Sequence, residues 1–291
     1  MSNEKNMILV TGATGNVGRQ VVSQLLGAGA RIRALTRKPD TAGLPPEVEV
    51  VRGEPSAPDT LDGHLDGVET VFLVWRSLGA DAASFLNSVS KHARRLVFLS
   101  SAAVRDDVKE QASSIAKAHA DIERLIERSG MEWTFLRPGA FATNALWWWG
   151  PQIREGAVVR WPYGAAFSAP IHERDIAAVA AHALIEDGHG GAKYVLTGGQ
   201  SLTQAEQVLT IGAAIGRPLR FEEISPEAAR QQMLALMSAT AVEMMLSAWA
   251  RMTNEPPLIT DTVARVTGAS ARTFRQWAID HAADFQERRL Q

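Results

Sequence analysis

The chain contains no cysteine among its 291 residues. This absence excludes a disulfide scaffold, thiolate metal ligands, a cysteine nucleophile and a thiol redox centre. A dominant charge of one sign is also missing, because 30 basic and 32 acidic side chains give a net charge of -2. No overall basic field would therefore draw the protein to nucleic acid or to a membrane surface. Tyrosine occurs only twice, which leaves few candidates for a phenolic proton donor.

Long hydrophobic runs are absent as well. No apolar stretch approaches the roughly 20 residues that span a bilayer, and the apolar run Met7–Val10 is too short for the core of a signal peptide. Four histidines show no metal-ligand spacing, namely His64, His92, His182 and His189, so no metal site is expected. These absences favour a globular protein in the cytoplasm, without a membrane or nucleic-acid partner.

Short apolar runs alternate with helical patterns through the first 140 residues. Runs without polar alternation are typical of parallel strands that are buried on both faces. Strand–helix–strand repetition predicts an α/β fold with a doubly wound parallel sheet. The predicted strands are Met7–Val10, Ile32–Leu35, Val48–Val51, Val71–Val74, Leu96–Leu99 and Trp133–Leu136.

The pattern changes after Pro138, and from Pro226 onward it is mostly helical. Residues 156–164 are predicted to form a hairpin or loop. A helix is predicted over Asp175–Ile185, with Asp175 near its N-cap. The spacing of Thr203 and Glu206 predicts a capping box that opens another helix.

Three glycines with the spacing G-x-x-G-x-x-G follow the first predicted strand and open the first predicted helix. Gly12 allows a tight turn, Gly15 lets backbone approach a pyrophosphate, and Gly18 permits close packing of helix on strand. The helix dipole and free N–H groups would then meet the phosphate charge. The motif predicts a Rossmann-type dinucleotide site. Its predicted cofactor-binding residues are Gly12, Thr14, Gly15, Asn16 and Val17.

The end of the second strand indicates which dinucleotide binds. NAD sites commonly place an acidic residue there to bind the ribose 2′-hydroxyl. Here Arg37 and Lys38 follow Thr36, and a guanidinium suits bidentate phosphate contact. We therefore predict NADP(H) in preference to NAD(H); the alternative is that both cations are solvated loop residues.

Several further stretches carry a family resemblance, chiefly Thr11–Gly18, Val97–Ser101, Ser129–Gly139 and Asp175–Ala177. With them the chain resembles the atypical short-chain dehydrogenase/reductase superfamily, and within it the NmrA-like branch. The resemblance covers nearly the whole chain. It implies an NAD(P)-binding domain over residues 1–150 and a smaller, mostly helical substrate lobe over 151–291 that is interwoven with the sheet.

The resemblance also implies where ligands bind. Members of the branch reduce quinones, aryl compounds, dyes or polyketide ketones, and others sense the dinucleotide without turnover. Four residues would position the nicotinamide end, namely Ser100, Ser101, Pro138 and Phe141. The substrate pocket would be lined by Phe141, Asn144, Trp147, Trp148 and Trp149. A cluster of tryptophans between a core and an interface is the alternative for the last three.

The chain departs from the superfamily in its proton donor. Neither tyrosine has a lysine four residues later, and Ser113 stands four residues before Lys117, where the usual Tyr-x-x-x-Lys motif has tyrosine. His119, four residues before Glu123, resembles a pattern found in reductases of the branch. Lys117 and His119 are the catalytic candidates, but only one can face the nicotinamide, since they lie about 200° apart around a helix. A helix histidine paired with Glu123 and an exposed lysine are the alternatives.

These observations predict an NADPH-dependent reductase of a bulky aromatic carbonyl or quinone-like acceptor, a polyketide ketoreductase being one form. Such an acceptor can delocalise the arriving charge, which suits a chain without the usual tyrosine. A non-enzymatic NAD(P) sensor and an isomerase that uses bound NADP are the alternatives. The expected partner is a small aromatic substrate, and the expected state is a monomer or homodimer.

Overall fold

A computed structural model describes residues 7–61, 63–75 and 82–286. Its strands are β1 Met7–Thr11, β2 Arg31–Thr36, β3 Glu49–Arg52, β4 Val68–Leu73, β5 Arg95–Leu99, β6 Glu132–Pro138, β7 Val158–Trp161, β8 Phe167–Ser168, β9 Ala192–Leu196, β10 Leu202–Thr203 and β11 Arg220–Glu223. Its α-helices are α1 Asn16–Gly27, α2 Ala82–Val89, α3 Ser114–Glu127, α4 Asn144–Trp148, α5 Gly150–Glu155, α6 Glu173–Ile185, α7 Gln204–Ala214, α8 Pro226–Leu234, α9 Ala239–Met252, α10 Thr262–Thr267 and α11 Phe274–Asp280. Contacts divide the chain into two compact units.

The first unit comprises Met1–Gly139, Glu173–Leu196 and Thr262–Ala269. Seven of its described strands form one sheet in the order β3-β2-β1-β4-β5-β6-β9, and every pairing in that sheet is parallel. Strand order reverses between β1 and β4, which is the switch point where open α/β sheets bind ligands. The predicted doubly wound α/β fold is confirmed.

The core of this unit follows from the apolar strand runs. Helix α1 packs with α6, and α2 packs with α3, so helix pairs flank the sheet. One core cluster joins strand residues such as Leu9 and Phe98 to Phe85 of α2 and Ile126 of α3. These four side chains are fully buried, as expected for strands that are covered on both faces.

The second unit comprises Ala140–His172, Thr197–Asp261 and Ser270–Gln291. Its strands form two small sheets, an antiparallel pair β8–β10 and a parallel pair β7–β11. The expectation of a hairpin or loop over 156–164 is wrong for Val158–Trp161, since β7 pairs with a strand about sixty residues later. The core of this unit is rich in tryptophan, including Trp149, Trp161, Trp249 and Trp277.

Of the two predicted helix N-caps, the structure confirms one and corrects the other. Thr203 caps α7: its side chain accepts a hydrogen bond from the Glu206 N–H, and Glu206 bonds back to the Thr203 backbone, so the predicted capping box is confirmed. Asp175 is not an N-cap, because α6 already begins at Glu173 and Asp175 is buried in its first turn. No helix among the described residues has both the length and the apolar character needed to cross a membrane.

Candidate functional site

The turn between β1 and α1 has the geometry that the glycine motif predicts. Gly12 adopts a φ of 63°, and its carbonyl accepts a hydrogen bond from the Gly15 N–H at 3.0 Å. At Gly18 an added Cβ would lie 2.1 Å from the Gly12 oxygen, so the close approach of helix to turn requires glycine there. Gly15 is the N-cap of α1, where no side chain caps the helix and the first turn holds no acidic residue.

This turn fits a dinucleotide phosphate. The helix start leaves its first N–H groups and its positive dipole end available to an anion. At Gly15 an added Cβ would meet only the Gly12 oxygen, at 3.3 Å, so the absence of a side chain there leaves room for a ligand. Thr14 and Asn16 are exposed beside Gly15, whereas Val17 is buried under the turn. Val17 therefore supports the site through its backbone and its packing.

Arg19 is a supporting residue that the sequence analysis missed. Its guanidinium donates to the carbonyls of Thr14 at 3.1 Å, Gly43 at 2.9 Å and Ala42 at 2.8 Å. It therefore ties the glycine turn to the segment after β2. Nothing in the sequence distinguishes this arginine from an ordinary exposed residue of an amphipathic helix.

Two exposed cations follow β2 in the same unit. Arg37 and Lys38 are both exposed, and Lys38 donates its N–H to the Thr36 hydroxyl at 3.3 Å. Arg52, at the end of the neighbouring β3, donates to the Arg37 carbonyl at 2.9 Å and lies 3.7 Å from Asp40. Because β1 and β2 are parallel neighbours, the cations and the glycine turn share the carboxyl edge of the sheet.

The two serines after β5 are in different environments. The Ser100 hydroxyl is buried and donates to the Glu123 carboxylate at 2.5 Å. The Ser101 side chain is half-buried, and its oxygen accepts from the Ala103 N–H at 3.2 Å. The next residue, Ala102, donates its N–H to the Pro138 carbonyl at 3.0 Å. Ser101 and Pro138 therefore lie at the adjoining ends of β5 and β6.

Arg137 links these strand ends to α3 through buried charge. Its guanidinium donates to Glu123 at 3.0 and 2.5 Å and to Asp106 at 2.7 and 2.9 Å. Burial opposes the charge of Arg137, but its hydrogen bonds to the Asp106 and Glu123 carboxylates outweigh this effect and raise the pKa of Arg137. Hydrogen bonding to Arg137 holds the pKa of Asp106 well below its usual range. The signal in the sequence that could have identified Arg137 is its place directly after the apolar run Trp133–Leu136.

The two catalytic candidates occupy different surfaces of α3. Lys117 is exposed and its ammonium lies 2.7 Å from Asp121. His119 is half-buried; its ring stacks on Phe98 of β5 with centroids 6.0 Å apart, and its Nδ1 lies 2.8 Å from the Ile115 carbonyl. The alternative that paired His119 with Glu123 is wrong, because that carboxylate binds Ser100 and Arg137. Ser113 caps α3, accepting the Ala116 N–H at 3.1 Å.

The residues expected at a substrate pocket lie in the second unit. Phe141 and Asn144 are half-buried. The three consecutive tryptophans separate by environment: Trp147 is 70% exposed, Trp148 is half-buried, and Trp149 is fully buried in the core. Trp148 packs edge-on against Trp149 and Trp249, with centroids 5.8 and 5.5 Å away. Of the three, Trp147 is the ring most accessible to a ligand.

The parallel sheet, its glycine turn and the exposed cations define a dinucleotide-binding protein of the Rossmann type. A comparison with protein families agrees, since residues 12–187 match a family described as NAD(P)H-binding. The chain belongs to this NAD(P)H-binding family, in the NmrA-like branch of the atypical short-chain dehydrogenases/reductases.

Two curated relatives are similar along their whole length. The chain is 39% identical to a (4-alkanoyl-5-oxo-2,5-dihydrofuran-3-yl)methyl phosphate reductase from Streptomyces griseus, over 96% of this chain and 99% of the relative. It is 35% identical to an NAD(P)H azoreductase from Xenophilus azovorans, again over 96% and 99%. The names of both relatives support an oxidoreductase at the general level.

Solved structures share the fold. A NADPH-dependent quinone oxidoreductase from Escherichia coli has a TM-score of 0.75 and 22% identity, over 94% of this chain and 98% of that one. The triphenylmethane reductase of Citrobacter sp., in complex with NADP(H), has a TM-score of 0.74 and 20% identity, over 95% and 99%. At this level of identity the likeness concerns the fold alone.

Proposed function

We propose that this protein is an NADPH-dependent reductase of a bulky aromatic carbonyl or quinone-like acceptor. The observation that carries the proposal is that the glycine turn and the Arg37–Lys38 pair lie at the same carboxyl edge of the sheet. Together they offer one site for a pyrophosphate and a second for a 2′-phosphate. NADPH, when bound, supplies the hydride, and the protein supplies binding, orientation and electrostatics.

The preference for NADPH rests on charge at the end of β2. Thr36 and Arg37 stand where an NAD site would carry an acid, and the two cations Arg37 and Lys38 are both exposed. Arg52 holds the Arg37 carbonyl and adds a third positive charge nearby. A phosphate there would gain charge-assisted hydrogen bonds, which are stronger than those of a neutral hydroxyl.

The proposed acceptor class rests on the relatives and on the aromatic side chains of the second unit. The NAD(P)H azoreductase, by its name, acts on a conjugated acceptor. Trp147 offers an exposed indole ring, and Phe141, Asn144 and Trp148 complete the proposed substrate-binding set. Flat aromatic molecules pack well on such rings. A conjugated acceptor also spreads the incoming negative charge, which lessens the need for a strong protein acid.

His119 is the better of the two candidates for proton donation. The carbonyl of Ile115 can only accept, so Nδ1 of His119 carries a proton. The neutral ring then has no proton on Nε2, and only the imidazolium can donate from that nitrogen. Lys117 is already paired with Asp121 at the surface. We therefore expect His119→Gln to lower kcat with an aromatic ketone, and Lys117→Ala to leave it near the wild-type value.

The cofactor proposal is tested by NADPH fluorescence titration of the wild type, Arg37→Ala and Arg31→Ala. Arg31 is the matched control, since it is also exposed but stands at the opposite end of β2. Loss of a charged hydrogen bond predicts about tenfold or more weaker NADPH binding for Arg37→Ala. NADH binding, and both ligands in Arg31→Ala, should be unchanged. Equal NADPH affinity in all three proteins would refute the role of Arg37.

Turnover is then measured by the absorbance of the reduced cofactor with a panel of quinones and aryl ketones. Oxidation of NADPH by any member of the panel supports a reductase. Tight NADPH binding without oxidation by the whole panel would favour the second candidate, a dinucleotide sensor. That candidate is favoured by one observation: Ser113, at the position of the usual tyrosine, serves as the N-cap of α3.

A further inference from the structure

A pair of buried opposite charges lies at the carboxyl edge of the sheet, next to the proposed nicotinamide end of the site. Arg137 is 4% exposed and Glu123 is 3% exposed. Burying such a pair removes two charges from water, and replacement by apolar residues is often no less stable. Stability is therefore a poor reason for placing the pair at this edge, where an apolar contact would serve as well.

The buried charges fix the segment that follows β5 at two points, Ser100 before Ser101 and Asp106 after it. On one side, the Ser100 hydroxyl donates to Glu123 at 2.5 Å. On the other, Asp106 receives two hydrogen bonds from Arg137, at 2.7 and 2.9 Å, and one from Lys193 at 3.0 Å. Arg137 also holds Glu123 directly, so one guanidinium anchors both ends of the segment.

The network also sets which serine can donate to a ligand. An ionised carboxylate only accepts hydrogen bonds, so the hydroxyl hydrogen of Ser100 is committed to Glu123. The Ser101 oxygen accepts from the Ala103 N–H, and among residues 7–61, 63–75 and 82–286 no acceptor takes its hydrogen. Ser101 therefore keeps a donor for a ligand, at a position that Arg137 fixes from both sides.

We propose that Arg137, acting through Asp106 and Glu123, is a positioning residue that fixes the segment 100–106 for recognition of the nicotinamide half of NADPH. This inference rests on the proposed function, because it assumes that the nicotinamide lies at the ends of β5 and β6. The adenine half would be bound independently, by the glycine turn and Arg37. A disturbance of the network should therefore weaken binding of the nicotinamide half and leave binding of the adenine half unchanged.

The test compares two ligands, NADPH and 2′-phospho-ADP-ribose, which keeps the adenine half and lacks the nicotinamide. The variant is Asp106→Ala, because the Asp106 side chain is 57% exposed and its removal leaves the buried Arg137–Glu123 pair intact. The matched control is Asp107→Ala, the next residue along the chain, which breaks an ion pair with Arg105 of the segment. Affinities are measured by isothermal titration calorimetry.

Displacement of binding groups by about 1 Å can cost a large factor, so we expect Asp106→Ala to bind NADPH about tenfold more weakly. Its affinity for 2′-phospho-ADP-ribose, and both affinities in Asp107→Ala, should stay within about twofold of the wild type. Arg137→Lys should give the same split, since a lysine is a point charge without the planar fork that binds carboxylates bidentately.

Two results would overturn the inference. Unchanged NADPH affinity in Asp106→Ala would show that the segment needs no anchor, and an equal loss for both ligands would show a general structural defect. Failure of the wild-type protein to bind either ligand is a different outcome, since it would remove the proposed cofactor itself. The wild-type titration therefore separates failure of the inference from failure of the proposed function.

Discussion

Alanine at two glycines of the same turn should have different consequences, because different atoms oppose the new methyl group. At Gly18 the Cβ would meet backbone, lying 2.1 Å from the Gly12 oxygen and 2.9 Å from the Cα of Ala13. Ordinary contacts between heavy atoms need about 3.5 Å, so the helix or the turn must shift by about 1.4 Å. Such overpacking costs roughly 1–3 kcal/mol, and we expect the free energy of unfolding to fall by about 2 kcal/mol or more.

At Gly15 the protein itself barely opposes a methyl group. The Cβ would lie 3.3 Å from the Gly12 oxygen, and the backbone φ of -84° and ψ of 173° suit alanine. Alanine restricts the unfolded chain but is a poorer N-cap, and these opposing effects should leave stability within about 1 kcal/mol. The methyl group would occupy the space of the pyrophosphate, so NADPH binding should weaken at least about tenfold.

Urea unfolding followed by tryptophan fluorescence, together with NADPH titration, measures both effects. Gly27→Ala is the matched control, because Gly27 ends the same helix and its added Cβ meets nothing within 4 Å outside the helix's own neighbouring backbone. Its free energy of unfolding and its NADPH affinity should be no lower than those of the wild type. NADPH affinity of Gly15→Ala equal to the wild type would refute the backbone approach to the pyrophosphate. Wild-type stability of Gly18→Ala would refute the close contact of α1 with the turn.

Further predictions concern stability, all read by urea unfolding. Thr203→Ala should cost about 1 kcal/mol at neutral pH. The Thr203 backbone N–H, and after it the Thr203 hydroxyl, donate to the Glu206 carboxylate and lower its pKa. Alanine keeps the backbone bond, so the pH-dependent contribution that it removes is that of the hydroxyl, which is present above the unfolded pKa of 4.5 and is lost as pH falls through the folded pKa. The loss of stability should therefore be smaller in acid, and equal losses in acid and at neutrality would contradict this role of the hydroxyl. Glu123→Ala should cost about 3 kcal/mol, because Arg137 stays buried with one partner fewer. Lys117→Ala should change stability by less than about 0.5 kcal/mol.

Much of the fold could be predicted from the sequence because the patterns that specify it are local. Parallel strands that are buried on both faces require continuous apolar runs, and each predicted strand overlaps an observed one; β3, for example, lies at Glu49–Arg52 against a prediction of Val48–Val51. The glycine turn was readable for the same reason, since its constraints act within seven residues. Strand β7 escaped prediction because its pairing partner lies far away in the sequence.

The contacts of charged and aromatic side chains could not be predicted from the sequence in the same way. Helical spacing suggested that Glu123 pairs with His119, but the fold brings Ser100 and Arg137 to that carboxylate from two different strand ends. The run of three tryptophans could not show which ring is accessible. Packing of the second unit buries Trp149 completely and leaves Trp147 exposed.

The sequence by itself determined the family, the parallel sheet and the glycine turn, because apolar runs and glycine spacing act through neighbouring residues. Tertiary structure alone decided that Ser100 is committed to a buried carboxylate, that Ser101 keeps its donor, and that Arg137 anchors the segment between β5 and α3. Those contacts join residues 14 to 31 positions apart. Only the crossover connections of the sheet bring such distant groups within hydrogen-bonding distance, and no local pattern specifies them.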